Sequence, residues 1–429
     1  MTPLSPMPFP ETSFAMTLVL LLLAPLAIAG VALVNVGLGR SRSAMQSMLG
    51  GLVVISTAVI AFAVVGFAVS AETAKDFIFH VASKPWDWAG EGHFLLSGLA
   101  STPARAQLAL LFEFLSVALV VLIPWGSGAD RLRLPAGAAI AAVFGAFIFP
   151  FFAHWTWGGG WLAQLGGNFS LGSGFLDAGG AGTVHALGGL AALAVVWVAG
   201  PRKGKFPREG LSTAMPGHNV VYVIFGCLVA SVGWLAWNMA GSLLWLSEAP
   251  SGLVITAVNT LLSATAALVA TFSVTRIRFG KPDASLCANG WLAGLVTSSA
   301  CAGVVPALDA LFAGLVAGIM TPLLVELFEL ALSIDDPSGA ISVHGAAGLW
   351  GLIAVGIFAP QHGQFVAQLI GVSTLLGLML PLIYFLFVIM DRVLPFRVDP
   401  DGERLGMDLH ELGGNAYPEF VVHRDESYH

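Results

Sequence analysis

Long apolar segments dominate the chain, recurring from about residue 13 to residue 390 between charged or Gly- and Pro-rich breaks. A helix that crosses a bilayer needs about 20 mostly apolar residues. The segments therefore predict an all-α membrane protein of about eleven transmembrane helices. Only a weak break near Pro306 divides the eighth span from the ninth. The expected spans are residues 13–36, 45–70, 106–125, 135–156, 178–200, 218–246, 252–275, 285–303, 306–331, 339–360 and 366–390.

Charged residues are scarce, at 10% of the 429 residues, whereas soluble domains carry about 25%. So few charges cannot cover a water-facing surface, which indicates that lipid is the main solvent of this chain. The net charge of −7 is shared among loops and tail and predicts no nucleic-acid partner. The three cysteines lie inside apolar runs without metal-ligand spacing, and we interpret them as buried small side chains rather than a disulfide framework. They are Cys227, Cys287 and Cys301.

The basic residues are distributed unevenly between the two sides of the predicted membrane domain. Of the 18 Lys and Arg residues, only Lys75, Lys84 and Arg105 fall in one set of alternating loops. Because Lys and Arg favour the cytoplasmic side, we expect a cell (inner) membrane protein with its N-terminus outside. A transmembrane domain of residues 1–390 is then followed by a cytoplasmic tail, residues 391–429. The first apolar run exceeds the roughly 7–15 residues of a signal-peptide core, so it is predicted to be the first span.

Two histidines stand in matching surroundings in the fifth and tenth spans. A hydroxyl residue, Thr183 or Ser342, precedes His185 and His344 by two positions, and a Gly-Leu pair begins four positions after each histidine. Five helices separate the two segments, so they run in opposite directions. The pattern predicts an inverted repeat of helices 1–5 and 6–10 about an axis in the membrane plane. Such an axis would bring the two imidazoles together near the midplane.

Ionisable residues at that depth are costly and indicate a function; the alternative is that each histidine only bonds to a neighbouring helix. A neutral imidazole has one donor and one acceptor nitrogen, so two adjacent rings could share a proton. A bare cation in a dry pore would lose tens of kcal/mol of hydration in the Born limit. Passage of an uncharged molecule, with its proton relayed by imidazoles that titrate near neutrality, avoids that cost. No third histidine or carboxylate has the spacing of a metal ligand beside either histidine, so no metal site is predicted.

Several short motifs resemble those of the ammonium transporter family (Amt/Mep/Rh), most closely bacterial Amt proteins, over residues 16–417. Asp177 stands eight residues before His185, as the family aspartate does before its first pore histidine. Each motif is short, and their combination makes the resemblance specific. The others are His154-Trp155-Thr156-Trp157 with the three glycines that follow, Gly233-Trp234, Asn238, Gly241-Ser242, Asp335-Asp336-Pro337 before His344, Gly406-Met407-Asp408 and Asn415-Ala416-Tyr417.

The resemblance implies a homotrimer with one pore through each subunit and with His185 and His344 as the pore pair. It implies that ammonium is recruited at an outer site, where the ring face of Trp157 would attract the cation by about 0.5–2 kcal/mol. Asp177 would shape this site from behind through backbone hydrogen bonds, and Ser242 is its serine. It also implies a PII-type regulator at the cytoplasmic face, no cofactor and no enzymatic activity.

The sequence departs from the family at the outer gate, where the family has two stacked phenylalanines. Counting without gaps puts one gate position at Ser116, with Phe112 nearby, and the other at Trp237. Glu113 replaces a neutral glutamine, and we expect it to face a pore mouth or a subunit interface, where it could bind a cation, pair across the trimer or stay protonated. The sixth helix also has one extra residue before Ser242. Near the inner mouth, Gly339 replaces an aspartate.

Ammonium or ammonia transport is therefore the leading hypothesis. The altered gate motivates an alternative, an ammonium-binding sensor on the same fold with little or no conduction. A gas channel of the Rh type is a third hypothesis, against which the Trp157 motif and the tail argue. An enzyme is not expected, because the chain has no nucleotide-binding loop, no nucleophile elbow and no acid–base pair outside the membrane.

Overall fold

The computed structural model describes residues 9–71, 78–90, 92–208, 212–247 and 249–417. Within these ranges the chain is mostly helical, with eleven long helices. They are α1 Glu11–Leu38, α2 Ser41–Ser70, α3 Ala104–Ser127, α4 Leu134–Thr156, α5 Ala181–Ala199, α6 Val220–Trp245, α7 Pro250–Phe279, α8 Ala284–Cys301, α9 Ala307–Ala331, α10 Ile341–Phe358 and α11 Gln364–Val393.

Ten of these helices are long and apolar enough to cross a membrane, and α8 is the more polar eleventh. Several polar side chains of α8, among them Ser298 and Ser299, are buried. The indole of Trp234 donates to Ser299 Oγ at 2.8 Å, and Asn238 Nδ2 donates to Ser298 Oγ at 2.9 Å. Because these two serine hydroxyl groups have hydrogen-bond partners inside the protein, they are not left unpaired in lipid. The predicted division near Pro306 is confirmed, since this proline immediately precedes α9.

The predicted inverted repeat is visible in the way that the helices cross. Helices α5 and α10 pass backbone against backbone, because a Cβ atom built at Gly189 would overlap the backbone of Gly345. In the same way α1 and α6 meet at Gly30 and Gly233, where an added Cβ would overlap the opposite backbone. Small residues permit such approach between membrane helices. Each close crossing thus joins a helix of the first half to its counterpart in the second.

A small β-hairpin departs from the all-α prediction. Strands β1 (Ile78–Val81) and β2 (Lys84–Asp87) pair antiparallel in the loop between α2 and α3. The loop also forms single helical turns at Phe94–Leu96 and Leu99–Ser101, and a short helix at Leu165–Phe169 lies between α4 and α5. These elements are too short to carry a periodic apolar pattern, so the sequence did not reveal them.

The chain after α11 folds back onto the ends of other helices. It forms two short helices, α12 (Pro400–Leu405) and α13 (Met407–Leu412). The carboxylate of Asp408 accepts the backbone N–H groups of Met45 and Gln46 at 3.1 and 2.7 Å, and so caps the first turns of α2. The hydroxyl of Tyr417 lies 3.0 Å from His218 Nε2.

The surface carries many exposed apolar side chains on the long helices, as expected for helices that face lipid. Val221, Leu228, Val254 and Ile277 are each exposed by 60% or more. The three cysteines are buried and unpaired, as the sequence predicts.

Candidate functional site

The two predicted histidines meet at the crossing of α5 and α10. His185 Nδ1 lies 3.2 Å from His344 Nδ1, and the ring centroids are 5.2 Å apart. Both rings are almost completely buried. The ring of Trp234 stacks on that of His185, with centroids 4.8 Å apart and planes inclined by 14°. The structure therefore places an imidazole pair where the two halves of the repeat meet.

The contact between the two Nδ1 atoms constrains the protons of the pair. One Nδ1 must carry a hydrogen and the other must accept it, because two donors or two acceptors would repel each other. With both rings neutral, one ring then presents Nε2 as an acceptor and the other presents Nε2–H as a donor. The pair thus offers one site that takes a proton and one that gives a proton, which is what a relay requires.

A carboxylate holds the first turn of each of these helices. Asp177 Oδ2 accepts the backbone N–H groups of Gly182 and Thr183 at 3.0 and 2.7 Å, and the hydroxyl of Thr183 at 2.8 Å. On α10, Asp336 Oδ2 accepts the N–H of Ile341 at 2.8 Å, while Asp336 Oδ1 accepts the hydroxyl of Ser127 at 2.7 Å. Both capped turns are widened π turns, a form often found at functional sites, and each contains its histidine.

Gly339, the residue five positions before His344, has a backbone reason to be glycine. Its φ is +69°, and the corresponding residue before α5, Gly180, has a φ of +80°. Glycine adopts this left-handed conformation without a Cβ penalty. The residue at this position therefore has the same left-handed backbone conformation in both halves of the repeat.

Four aromatic rings pack against one another near the start of α5, the helix that carries His185. Phe112 lies 5.2 Å from Trp237 and 5.2 Å from Trp157, between ring centroids. Trp157 is stacked on Trp245, with centroids 5.4 Å apart and planes inclined by 4°. Hydrogen bonds fix two of the indoles, because Trp157 Nε1 donates to the carbonyl of Asp177 at 2.8 Å and Trp237 Nε1 donates to that of Gly179 at 3.1 Å. We call these rings the aromatic wall.

Two other predicted residues lie beside this wall without a ring contact to it. Ser116 is one helical turn from Phe112 and donates its hydroxyl to the Phe112 carbonyl at 2.8 Å. Phe112, rather than Ser116, thus supplies the ring that meets Trp237. The Ser242 hydroxyl lies 3.4 Å from Thr256 Oγ1 on α7 and faces Gly303. The tryptophan that reaches Trp157 from α6 is Trp245, one turn further along the helix.

Comparison with known proteins identifies the fold and the family. The family model described as Ammonium Transporter Family matches residues 15–417. The chain belongs to the ammonium transporter family. It is 35% identical to ammonium transporter Amt2 of Archaeoglobus fulgidus over 93% of this chain and 86% of that protein. It is also 31% identical to putative ammonium transporter sll1017 of Synechocystis sp., over 94% of this chain and 89% of that protein.

Solved structures agree with this assignment. A structure described as a sensor Amt protein superposes with a TM-score of 0.84 at 26% identity, covering 93% of this chain and 98% of that one. Mep2 of Candida albicans superposes with a TM-score of 0.77 at 24% identity, covering 96% of this chain and 91% of that one, which supports the fold alone. The contact between His185 and His344 is consistent with the twin histidines of this family.

Glu113, a departure from the family pattern, lines a cavity of about 240 Å³. Trp157 and Trp245 contribute to the same cavity, together with Ser70 at the end of α2 and His93 in the loop that follows. The Glu113 side chain is only 5% exposed, and Ser70 Oγ donates to its Oε2 at 2.8 Å. The carboxyl group thus lies at the wall of a cavity, next to the aromatic wall.

On the opposite side of the histidine pair, buried charges connect the loops. Arg202 bonds to both carboxylate oxygens of Asp335 at 2.9 and 2.8 Å and to Asp130 at 3.0 Å, and Arg131 donates to the Asp335 carbonyl at 2.7 Å. Burial alone would raise the pKa of Asp335, but Arg202 and Arg131 lower it to about 2. The pKa of Arg202 is raised in turn, because both aspartates outweigh its burial. Asp335 therefore stays ionised at neutral pH.

The neighbouring carboxyl behaves in the opposite way. Burial raises the pKa of Asp336, although hydrogen bonds from Ile341 and Ser127 partly offset this effect. Adjacent aspartates thus have separate tasks, one in an ion-pair network and one in a helix cap.

Sequence reasoning did not assign a role to several residues of the site. Asp336 could have been found, because it precedes His344 by the same eight residues that separate Asp177 from His185. No comparable spacing in the sequence points to Trp245 or Ser70. Their importance depends on which faces of α6 and α2 turn inward, and an apolar helix does not reveal this from its sequence.

Proposed function

We propose that this protein transports ammonium through a pore in which His185 and His344 form the central relay. The observation that carries the proposal is the contact of 3.2 Å between the two Nδ1 atoms, in a chain of the ammonium transporter family. In this proposal ammonium loses a proton on the outer side, neutral ammonia passes the pair, and the imidazoles relay the proton. Ammonium forms again on the other side.

The outer residues then have distinct roles in this proposal. Trp157 and Ser242 recruit the cation, Asp177 orders the start of α5 behind them, and Phe112 and Trp237 form the gate. The hydrogen bond from the Trp157 indole to the Asp177 carbonyl supports a shared role, because it ties the recruiting ring to the capped turn. Ser116 stands below the gate, where its hydroxyl is already bonded to its own helix.

The experiment is a current measurement on proteoliposomes after an ammonium concentration jump. We expect His185→Ala to reduce the current by about a hundredfold, the lower range for loss of a proton-transferring group. His362→Ala is the matched control, because His362 is exposed in the loop between α10 and α11. Unchanged current in His185→Ala would refute the relay.

A second candidate function is ammonium sensing with little conduction. Two observations favour it: the likeness to a structure described as a sensor Amt protein and an aromatic wall whose members Phe112 and Trp237 are almost fully buried. Ammonium-dependent stabilisation of the purified protein without any current in proteoliposomes would support sensing over transport.

We further propose a homotrimer in the inner membrane, with the N-terminus outside and residues 391–429 as a cytoplasmic tail. The wide exposed apolar faces of α6 and α7 support additional helix contacts, and native mass spectrometry in detergent measures the subunit number. The tail docks beside the loops that carry Arg131 and Arg202. A PII-type regulator would meet that face, and a pull-down with and without residues 391–429 tests this.

A further inference from the structure

The histidine three residues before Trp157 pairs with a carboxylate that the proposed relay does not use. His154 Nε2 lies 3.1 Å from Asp87 Oδ1, and both side chains are fully buried. His154 Nδ1 lies 3.0 Å from the carbonyl oxygen of Ala71. The imidazole therefore connects the last turn of α4 to the end of β2 and to the residue that follows α2.

The partners of this imidazole require one hydrogen more than a neutral ring beside an ionised carboxylate would have. A carbonyl oxygen can only accept, so His154 Nδ1 carries a hydrogen that it donates to Ala71. In a neutral ring Nε2 would then be an acceptor, and an acceptor repels a carboxylate oxygen. One hydrogen therefore lies between His154 Nε2 and Asp87 Oδ1, on one atom or the other. In either case the pair has no net charge, which suits two side chains that water does not reach.

The carboxylate of Asp87 depends on this contact. Within the ranges that the structure describes, no hydrogen-bond donor other than His154 approaches either carboxylate oxygen. The backbone of Asp87 is fixed at the same place, because its N–H donates to Gln164 Oε1 at 3.0 Å and its carbonyl accepts the N–H of Trp161 at 2.9 Å. The end of β2 is thus held against the segment between α4 and α5 by its backbone and against α4 by its side chain.

Trp157 lies between the imidazole and the loop that wraps around it. A Cβ atom built at Gly158 would lie 2.7 Å from His154 Nδ1, and one at Gly160 would lie 2.9 Å from His154 Cδ2, so only glycine leaves room for the ring. The N–H of Gly160 donates to the carbonyl of His154 at 3.0 Å. At its other end, the Trp157 indole donates to the Asp177 carbonyl. The backbone of Trp157 is thus set by the turn around His154, and its ring by the segment before α5.

We propose that His154 and Asp87 are positioning residues for Trp157, because their contact joins β2 and the end of α2 to the last turn of α4. This inference rests on the proposed transport function, in which Trp157 recruits ammonium. When the contact is lost, the last turn of α4 is free to tilt and the Trp157 ring leaves the Asp177 carbonyl. Recruitment of the cation then weakens, while the histidine pair of α5 and α10 stays in place.

Asp87→Ala tests the proposal through the concentration dependence of the current in proteoliposomes. We expect the half-saturating ammonium concentration to rise about tenfold, a change of about 1.4 kcal/mol, because a displaced ring loses its cation–π attraction. The maximal current should change by less than about twofold, whereas a role in stability alone would lower the maximal current. A lost charge does not explain such a shift, since the pair is neutral and the substitution removes the shared hydrogen together with the carboxylate.

Asp87→Asn is the conservative variant that should restore the contact. Its amide can donate to Nε2 of a neutral imidazole, so the half-saturating concentration should stay within about twofold of that of the unmodified protein. A value as high as that of Asp87→Ala would contradict the role of the hydrogen bond. Asp309→Ala removes a carboxyl from the first turn of α9; it is the matched control and should leave the concentration dependence unchanged.

Cryo-electron microscopy of Asp87→Ala in lipid nanodiscs tests the positioning without any transport measurement. We expect the distance from Trp157 Nε1 to the Asp177 carbonyl oxygen, 2.8 Å in the unmodified protein, to exceed about 3.5 Å, which is beyond hydrogen-bonding distance. An unchanged position of Trp157 overturns the proposal, as does an unchanged half-saturating concentration. If the unmodified protein gives no current, transport fails, and this structural comparison still decides the positioning role. Should Asp87→Ala not fold, His154→Gln serves in both measurements, with smaller changes of the same sign expected.

Discussion

Asp177 and Asp336 each precede a histidine by eight residues and each cap the helix that carries it, but their surroundings differ. Asp177 Oδ2 accepts hydrogen bonds from the first turn of its own helix, and the indole of Trp157, one ring of the aromatic wall, donates to the Asp177 carbonyl. Asp336 shares its carboxylate with Ser127 on α3, and the adjacent Asp335 is bound to Arg202. Aromatic rings thus lie near the start of α5, whereas an ion-pair network lies near the start of α10. The two halves of the repeat share the aspartate cap and the histidine. The side chains that surround the start of each helix differ.

The largest effect is expected from a substitution that forces α5 and α10 apart where they cross. Gly189→Leu would place a large side chain where even a Cβ atom overlaps the backbone of Gly345. Because the backbones cannot move apart without losing the packing of α5 on α10, we expect no stable folded protein. Size-exclusion chromatography in detergent measures this. Gly377→Leu is the control, since a Cβ at Gly377 has nothing within 4 Å. A monodisperse Gly189→Leu protein with normal thermal stability would show that the crossing is not fixed.

Removal of the capping carboxylates of Asp177 and Asp336 should destabilise the protein by different amounts. Asp177→Ala leaves two backbone donors and the Thr183 hydroxyl without an acceptor, and we expect a loss of about 3 kcal/mol. Asp336→Ala should cost about 2 kcal/mol, because the Ser127 hydroxyl can turn to another acceptor. Thermal unfolding in detergent compares the two. Asp401→Ala, in an exposed part of the tail, should change stability by less than about 0.5 kcal/mol. Equal losses at the two caps would contradict the proposed asymmetry.

The smallest effect concerns the hydroxyl residues that mark the repeat in the sequence. Thr183→Val removes a hydroxyl that bonds to Asp177 at 2.8 Å, and we expect a loss of about 1 kcal/mol. Ser342→Ala should be nearly neutral, because Asp336 is satisfied by Ser127 and by the backbone N–H of Ile341. The same unfolding assay measures both variants. A larger loss for Ser342→Ala than for Thr183→Val would reverse the comparison.

The sequence predicted the features that depend on periodicity and symmetry. The eleven helices followed from segment length, and the contact of His185 with His344 followed from the antiparallel repeat. It did not show which ring would meet Trp237. Counting placed Ser116 at the predicted gate position with Phe112 nearby, and in the structure the ring that contacts Trp237 belongs to Phe112, one turn earlier. The side chains that complete a packed wall depend on helix rotation and on neighbours distant in sequence, neither of which a run of apolar residues encodes.

The tail likewise has features that the sequence predicted and contacts that it did not. Its resemblance to the end of the family's chains predicted a tail after the last span, but not that Asp408 caps α2 or that Glu403 accepts from the backbone of Lys203. Both contacts join residues about 200 or more positions apart. Such pairings arise only when the helices have assembled, so a short motif predicts that the segment exists and not its partner.

The imidazole pair joins residues that are 159 positions apart, and this separation has a consequence for biosynthesis. When the ribosome has delivered α1–α5, His185 is already at its depth in the membrane, yet its partner has not been translated. The nascent first half must therefore keep a polar ring away from lipid until α10 arrives. A chain that stops after α9 should remain a substrate for membrane quality-control proteases, even though nine of the eleven long helices are then already in place.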